Sequence, residues 1–473
     1  MRIVITGAGI AGLTSALFLA RAGNEVVVLE RDATPLPESA DAAFTWDRRG
    51  APQVRHPHAF LALLRNLLRD ELPDVLADLI AAGATEVSWQ DSAPETLDDR
   101  SPQPGDEDLV FLACRRTTFE WVLRRAALRT ERVELRDGVK VVGLITTPGS
   151  SPPVVTGVET SEGIVEADLV VDAGGRHSSV AKLLANIGVV VAEEKHPTGS
   201  VYLSRFYRLL PGAVEPDRQA FSGGTLGYLG YGIFRGDNRT FSVTVVPGTD
   251  DPEIRALIGP ARFDATAELI PAVAKWIDPA ISEPVLRPHV MAGLFNRARQ
   301  FVVDGKPVVL GLVAIGDASV CTNPLYGRGC SLGAVHARLL GDAVRDHGDD
   351  LQALALQLNE GAERLLMPWY RASVMQDEAA RQALRGEAPA TGGFASSIFT
   401  EGLFPLTRID AKVNRAFLRM VNLLTLPEAL LADTNLMARV LVYWQARATR
   451  PPEPALGPTR EEMVTALQAV PAA

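Results

Sequence analysis

Cysteine is scarce: the 473 residues hold three, Cys114, Cys321 and Cys330. An odd number without paired metal-ligand spacing excludes a disulfide framework and a zinc ribbon, and fits buried thiols in a reducing compartment. Long apolar runs are missing too. The run at 307–315 falls far short of the ~20 residues a membrane helix needs, so no span is expected. There is no long basic run, and 47 Lys and Arg stand against 57 Asp and Glu, a net charge of −10. A phosphate backbone is repelled by such a chain, which argues against nucleic acid as a partner. The first strand begins at the second residue, leaving no space for a leader, so a cytoplasmic location is expected. His56-Pro57-His58 has no third ligand near it, so no metal site is expected. Neither a Ser/His/Asp set nor a convincing pair of carboxylates is found.

With 47% apolar residues the chain can build two or three packed units. Its clearest signal is residues 2–30, RIVITGAGIAGLTSALFLARAGNEVVVLE. A short strand (3–5) runs into Gly7-x-Gly9-x-x-Gly12, a helix follows to residue 22, Gly23 stops it, and a second strand (26–29) ends on Glu30. This is a βαβ dinucleotide fingerprint. Gly7 makes the tight turn, Gly9 admits a pyrophosphate to the backbone, and Gly12 lets helix and strand pack closely. The helix start offers free N–H groups and a positive dipole end. Glu30 is placed to accept hydrogen bonds from an adenosine ribose. Alone, the motif does not separate FAD from NAD.

After Glu30 the chain loosens into a Pro- and Gly-rich loop carrying Arg48, Arg49, Arg55, His56 and His58. This is either a solvated basic loop or one that folds back so that its arginines meet phosphates. Apolar residues at 60, 63, 64, 67 and 68 predict a helix with one buried face, and 91–108 reads as a loop. A strand is expected at 109–113, followed by a helix to residue 129 capped by a Thr117/Glu120 box, with Arg115 and Arg116 at the junction. Strands at 133–135, 139–145 and 154–159 suggest a small antiparallel layer. The apolar strand 169–171 runs into DAGGRHSS, where Asp172 is either a strand-end cap or a ligand-facing acid. Between 193 and 285, β-branched and aromatic stretches suggest an inserted sheet. Its aromatics, Tyr228, Tyr231 and Phe234 among them, are either sheet core or one wall of an apolar pocket. A buried strand at 308–315 then leads through Asp317 to Pro-Leu-Tyr-Gly-Arg-Gly and a helix beginning near Cys330. From 351 onward the periodicity is helical, with no second Gly-x-Gly-x-x-Gly.

Three separated segments, GAGIAGL with Glu30, LVVDAGGRHSS, and AIGDASVCTNPLYGRGCSLGAVHA, resemble in order and spacing the FAD-contacting segments of the p-hydroxybenzoate-hydroxylase-like flavoprotein superfamily. Within it, RRGAPQVRHPHAFL is similar to a segment of bacterial polyether-type epoxidases. The resemblance implies an α/β fold: a Rossmann-like FAD-binding domain in three parts (1–58, 109–192, 288–348), a helical and loop excursion toward the substrate domain (59–108), an inserted mixed β-sheet substrate domain (193–287) and a C-terminal helical region (349–473). It implies noncovalent FAD held by Gly7, Gly9, Ala11, Gly12, Glu30, Arg31, Arg49, Arg115, Asp172, Gly174, Asp317, Pro324, Gly327, Gly329 and Cys330. Of these, Arg115 would meet the pyrophosphate or ribityl side, Asp317 the ribityl hydroxyls, and Pro324 with 327–329 the isoalloxazine. The activity implied is that of a monooxygenase. NAD(P)H, bound transiently, or a separate flavin reductase supplies electrons, and a flavin C4a-hydroperoxide passes oxygen to a small lipophilic secondary metabolite by epoxidation or hydroxylation. His58, Tyr228, Tyr231 and Phe234 are the candidates for the substrate pocket. The sequence lacks the Trp-x-Trp-x-Ile-Pro element of the flavin halogenases. A geranylgeranyl-reductase-like flavoprotein and a non-catalytic flavin-binding protein stand as alternatives.

Overall fold

Strand Arg2–Thr6 is apolar on both of its faces, which only a central strand with layers above and below can satisfy. The computed structural model describes residues 1–216, 221–384, 393–451 and 455–471. In it this strand is the middle of a five-stranded parallel sheet, ordered Leu312–Ala314, Leu169–Asp172, Arg2–Thr6, Glu25–Glu30, Val133–Asp137. Period-two alternation divides its side chains. Ile3 and Ile5 enter a core with the helices Ile10–Arg21, Arg116–Arg129 and Gly329–His347, whereas Val4 joins Val155, Val158 and Val165 on the other side. That second layer is an antiparallel sheet of Val141–Thr146, Val155–Thr160 and Gly163–Glu166. The antiparallel layer expected from 133 to 159 is therefore split. Residues 133–137 pair in parallel with the second strand, and only the later two strands enter the antiparallel layer.

The inserted sheet is antiparallel and six-stranded, running Phe221–Thr225, Leu229–Arg235, Thr240–Pro247, Tyr202–Leu209, with Ser282–Pro284 and His289–Met291 both paired to the last of these. One face packs Leu203, Tyr207, Val243 and Val245 against Trp276 and against Met463 and Leu467 of the helix Arg460–Gln468. The other face carries Tyr202, Ser204, Phe206 and Thr244 toward the parallel-sheet unit: Phe206 meets Phe44 edge-on at 5.5 Å, and Ser204 meets His56. Helices Leu351–Leu365, Met367–Leu384, Ala411–Val421 and Thr434–Gln445 follow in the C-terminal stretch. Among the described residues no helix is long and apolar enough to cross a membrane.

The helix after Arg115 forms without the expected capping box. Its N-cap is Arg115, with no side-chain cap. Thr118 instead donates to Asp237, and Glu120 is taken by Arg48 and Arg116. Tertiary ion pairing outcompetes the local cap because Glu120 is fully buried, where two guanidinium partners outweigh one backbone N–H.

Candidate functional site

The C-terminal ends of the parallel strands open into a cleft of about 510 Å³. Ligands gather at this position in open α/β sheets. Gly7, at φ +105°, turns the chain, and a Cβ there would lie 2.7 Å from the Ala173 carbonyl oxygen. Gly12 sits behind it, where a Cβ would be 2.0 Å from the Gly7 carbonyl oxygen. At Gly9 the nearest atom to a Cβ is Arg116 Nη2 at 4.0 Å, so the helix start is open on its cleft side. That helix has no side-chain N-cap and no acid in its first turn, and the same holds for Gly329–His347 across the cleft. Two positive dipole ends therefore face one space.

Three of the motif segments converge there. Gly7, Gly9 and Ala11, then Asp172, Gly174 and Arg176, then Asp317, Pro324, Gly327, Gly329 and Cys330 all line the cleft, as do Glu30, Arg31 and His58. Gly12 does not line it and serves the helix–strand contact instead. Glu30 accepts from Ala8 N at 3.0 Å, Asp32 N at 3.0 Å and Arg48 Nη2 at 3.2 Å. A carboxylate has about four acceptor positions, so capacity for a ribose hydroxyl is left. Asp172 caps its own strand end, accepting from Thr6 Oγ1, Gly174 N and Ser178 Oγ. Burial raises its carboxyl above the ordinary value, and these hydrogen bonds offset part of that rise.

The arginines are arranged differently from the sequence expectation. Arg49 does not line the cleft; its side chain is 85% exposed and pairs with Asp47. Arg48 faces the cleft in its place, buried, with Nη1 2.8 Å from Glu120 and its Nε without a hydrogen-bond partner among the described residues. Arg115 is likewise turned away. It donates through its backbone N–H and its guanidinium to Asp237, at 2.6 to 3.0 Å, in a fully buried ion pair that ties the strand–helix junction to the inserted sheet. Arg116 is the residue that reaches the cleft, donating to Glu120 and, at 3.3 Å, to Cys330 Sγ. Burial works to raise the Glu120 carboxyl, but Arg116 and Arg48 overcome it and hold the group below its usual range. The Cys330 thiol is pushed up by burial, with Arg116 opposing, and all three cysteines are buried and free.

None of the three predicted pocket aromatics lines the cleft. Tyr231 and the partly buried Tyr228 belong to the core on the far side of the sheet, Tyr228 donating to the Pro458 carbonyl at 2.9 Å. Phe234, three residues after Tyr231, falls on the opposite face and is half-buried. The sheet packs helices behind it, and the core they form takes up both Tyr231 and Tyr228. The cleft is instead walled in part by His56, Pro57, His58, Ala59, Val290, Met291 and Leu294. A Cβ at Gly327 would fall 2.7 Å from Ala59 Cβ, so this wall touches the Pro324–Gly327 turn directly.

Sequence reading missed the network that holds that turn. Asp377, on the helix Met367–Leu384, accepts from Asn323 Nδ2 (2.7 Å), Asn296 Nδ2 (2.6 Å) and the Tyr326 hydroxyl (2.8 Å), while Tyr202 donates to Asn323 Oδ1 at 2.7 Å. Burial raises the Asp377 carboxyl, against the pull of these donors. Among the described residues no trio of His, Cys, Asp or Glu is disposed to hold a metal.

The site fits a dinucleotide with two phosphates: uncapped helix starts, a glycine cradle, cations at Arg48 and Arg116, and acids for hydroxyl groups at both ends. Residues 2–98 match the family DAO, FAD dependent oxidoreductase. The glycine turn and Glu30 of the cleft lie within the matched residues. Along nearly its whole length it is similar to Protein Rv3254 of Mycobacterium tuberculosis, 27% identical over 453 residues and 89% of each chain. In fold it is similar to pqsL, "a probable FAD-dependent monooxygenase" from Pseudomonas aeruginosa (18% identity, 82% of this chain and 98% of that one, TM-score 0.57). It is also similar to the myxobacterial chondrochloren halogenase CndH (16% identity, 96% and 98%, TM-score 0.60).

Proposed function

We propose that this protein is an FAD-dependent monooxygenase that places one atom of O2 on a small lipophilic secondary metabolite, by epoxidation or hydroxylation. One observation carries the reading: three segments separated by some 150 residues each meet in a single cleft that is also lined by apolar residues and two histidines. FAD would be held without a covalent bond by the helix start at Gly9, by Glu30, Arg48 and Arg116, by Asp317, and by the helix start at Gly329. Bound there, it supplies the electron transfer and the oxygen chemistry. The chain does the rest. The helix start at Gly329 stabilises negative charge beside it. Pro57, Ala59, Val290, Met291 and Leu294 give the cleft an apolar stretch of wall, which suits an apolar substrate.

The overall balance is substrate, O2, NAD(P)H and a proton giving oxygenated substrate, water and NAD(P)+. NAD(P)H is a transient donor, directly or through a separate flavin reductase. The halogenase neighbours share the fold, but the Trp-x-Trp-x-Ile-Pro element is missing from this sequence. Turnover of a panel of lipophilic alkenes and phenols under labelled oxygen gas tests the proposal. One labelled atom per product molecule supports it, and product formed equally well under nitrogen points instead to an isoprenoid-type reductase.

A further inference from the structure

The segment Arg55-His56-Pro57-His58 brings two imidazoles into the lining of the cleft, and each has one nitrogen already engaged. His56 is 4% exposed, and its Nδ1 lies 2.9 Å from Ser204 Oγ, which is 2.8 Å from Thr244 Oγ1. Ser204 and Thr244 are register partners on adjacent strands, so this chain of hydroxyls is part of the sheet and not a loose contact. His58 Nδ1 lies 3.0 Å from the His56 carbonyl oxygen. A carbonyl can only accept, so His58 carries its proton on Nδ1. Burial, reinforced by Arg116, keeps that ring neutral by pushing its pKa well below 6.5. A neutral ring protonated on Nδ1 has a lone pair on Nε2.

His56 is neutral as well, burial and His289 lowering it to about 4. Its tautomer follows the hydroxyl chain. When Thr244 donates to Ser204 and Ser204 to Nδ1, His56 presents Nε2–H. Neither Nε2 has a hydrogen-bond partner among the described residues, and both rings line the cleft. Pro57 fixes the backbone between them, and Ala59 abuts Gly327, so the pair stands next to the turn expected to flank the isoalloxazine. A metal would need a third ligand, and no such trio exists among the described residues.

We infer that His56 and His58 form a subsite for a hydroxyl group on the substrate: a phenol, enol or alcohol donates its proton to His58 Nε2 and accepts from His56 Nε2–H. This rests on the reading of the cleft as the meeting place of flavin and substrate, and it narrows the substrate class to hydroxylated lipophiles. No bond is made or broken by the pair; they are positioning residues that set which carbon faces the flavin.

The test is a binding equilibrium. FAD-loaded, oxidised protein without reductant is titrated by calorimetry with 2-naphthol and with 2-methoxynaphthalene, which cannot donate. The unsubstituted protein should bind the naphthol about tenfold more tightly, the scale of one or two net hydrogen bonds. His58→Phe should bring the two affinities together, and His58→Gln, whose amide oxygen can accept, should keep most of the preference. His56→Phe should reduce it. Flavin content and melting temperature, measured on each variant, confirm that the fold is intact. Equal affinities in the unsubstituted protein, no binding of either probe, or a preference that survives His58→Phe overturns the inference. Since no turnover is involved, a failure here is separate from a failure of the labelled-oxygen experiment.

Discussion

Gly9 and Gly12 lie three residues apart in one motif, yet the structure gives them opposite jobs, and alanine at each separates the two. At Gly12 a Cβ would be 2.0 Å from the Gly7 carbonyl oxygen and 3.2 Å from Ala173 Cβ. Both are held by the sheet and its strand-end turn, so the helix must move outward by more than 1 Å. Overpacking of that kind costs about 1–3 kcal/mol, and a clash with backbone belongs at the upper end. At Gly9 the φ of −85° suits any residue and the nearest atom is 4.0 Å away. Losing glycine's unfolded-state entropy stabilises by about 0.4–1 kcal/mol, and alanine is a poorer N-cap than glycine by a similar amount. The net effect on the apoprotein should stay within about 0.5 kcal/mol by those two terms. FAD binding is another matter. The new methyl group occupies the open side of the helix start, and each charge-assisted hydrogen bond it breaks is worth about 1.5–3 kcal/mol, or tenfold and more in Kd. Calorimetric melting of the apoproteins and FAD titration by fluorescence quenching read the two effects apart. A Gly9→Ala protein with unchanged FAD affinity, or a Gly12→Ala protein that melts like the parent, would contradict this division of roles.

Arg115→Met should lower stability by about 3 kcal/mol, because Asp237 is left buried without its cation, while the folded fraction keeps its FAD affinity; Arg116→Met should weaken FAD binding, and equilibrium denaturation with flavin titration distinguishes them. Acid should destabilise the fold between pH 6.5 and 4. His56 and His336 are both buried with pKa values of about 4, and His336 Nδ1 accepts from Gly316 N beside Asp317. Groups lowered in the folded state contribute stability above pH 6.5 that is lost toward pH 4, at 1.36 kcal/mol per pH unit roughly 3 kcal/mol for each. A denaturation midpoint flat across that window would contradict this. Stopped-flow mixing with NADPH and NADH under nitrogen should bleach the flavin slowly. No bleaching with either donor, with a bound lipophile present or absent, shifts electron supply to an external reductase.

The parallel sheet and the glycine turn at its centre were legible because their signals are local. Gly7, Gly9 and Gly12 lie within six residues, and strand, helix and acid follow in order. The arginines were not. Arg115 and Arg116 are adjacent at a strand-to-helix junction, and which one turns into the cleft is decided by Asp237, 122 residues away, claiming the first. Arg48 and Arg49 are a similar pair, sorted by Glu120. Parity on the strand could have separated Tyr231 from Phe234, since residues three apart on a regular strand point to opposite faces. What lies on each face, however, is set by helices distant in sequence, among them the one at Arg460–Gln468. The Asp377 network joins residues from 202 to 377 and leaves no local pattern to find.

The cleft as a noncovalent FAD site is the claim on which the rest depends, and acid precipitation of the purified, saturated protein tests it most directly. One FAD per chain is expected in the yellow supernatant, above a colourless pellet. Flavin retained in the pellet, or NAD recovered in place of FAD, would contradict it.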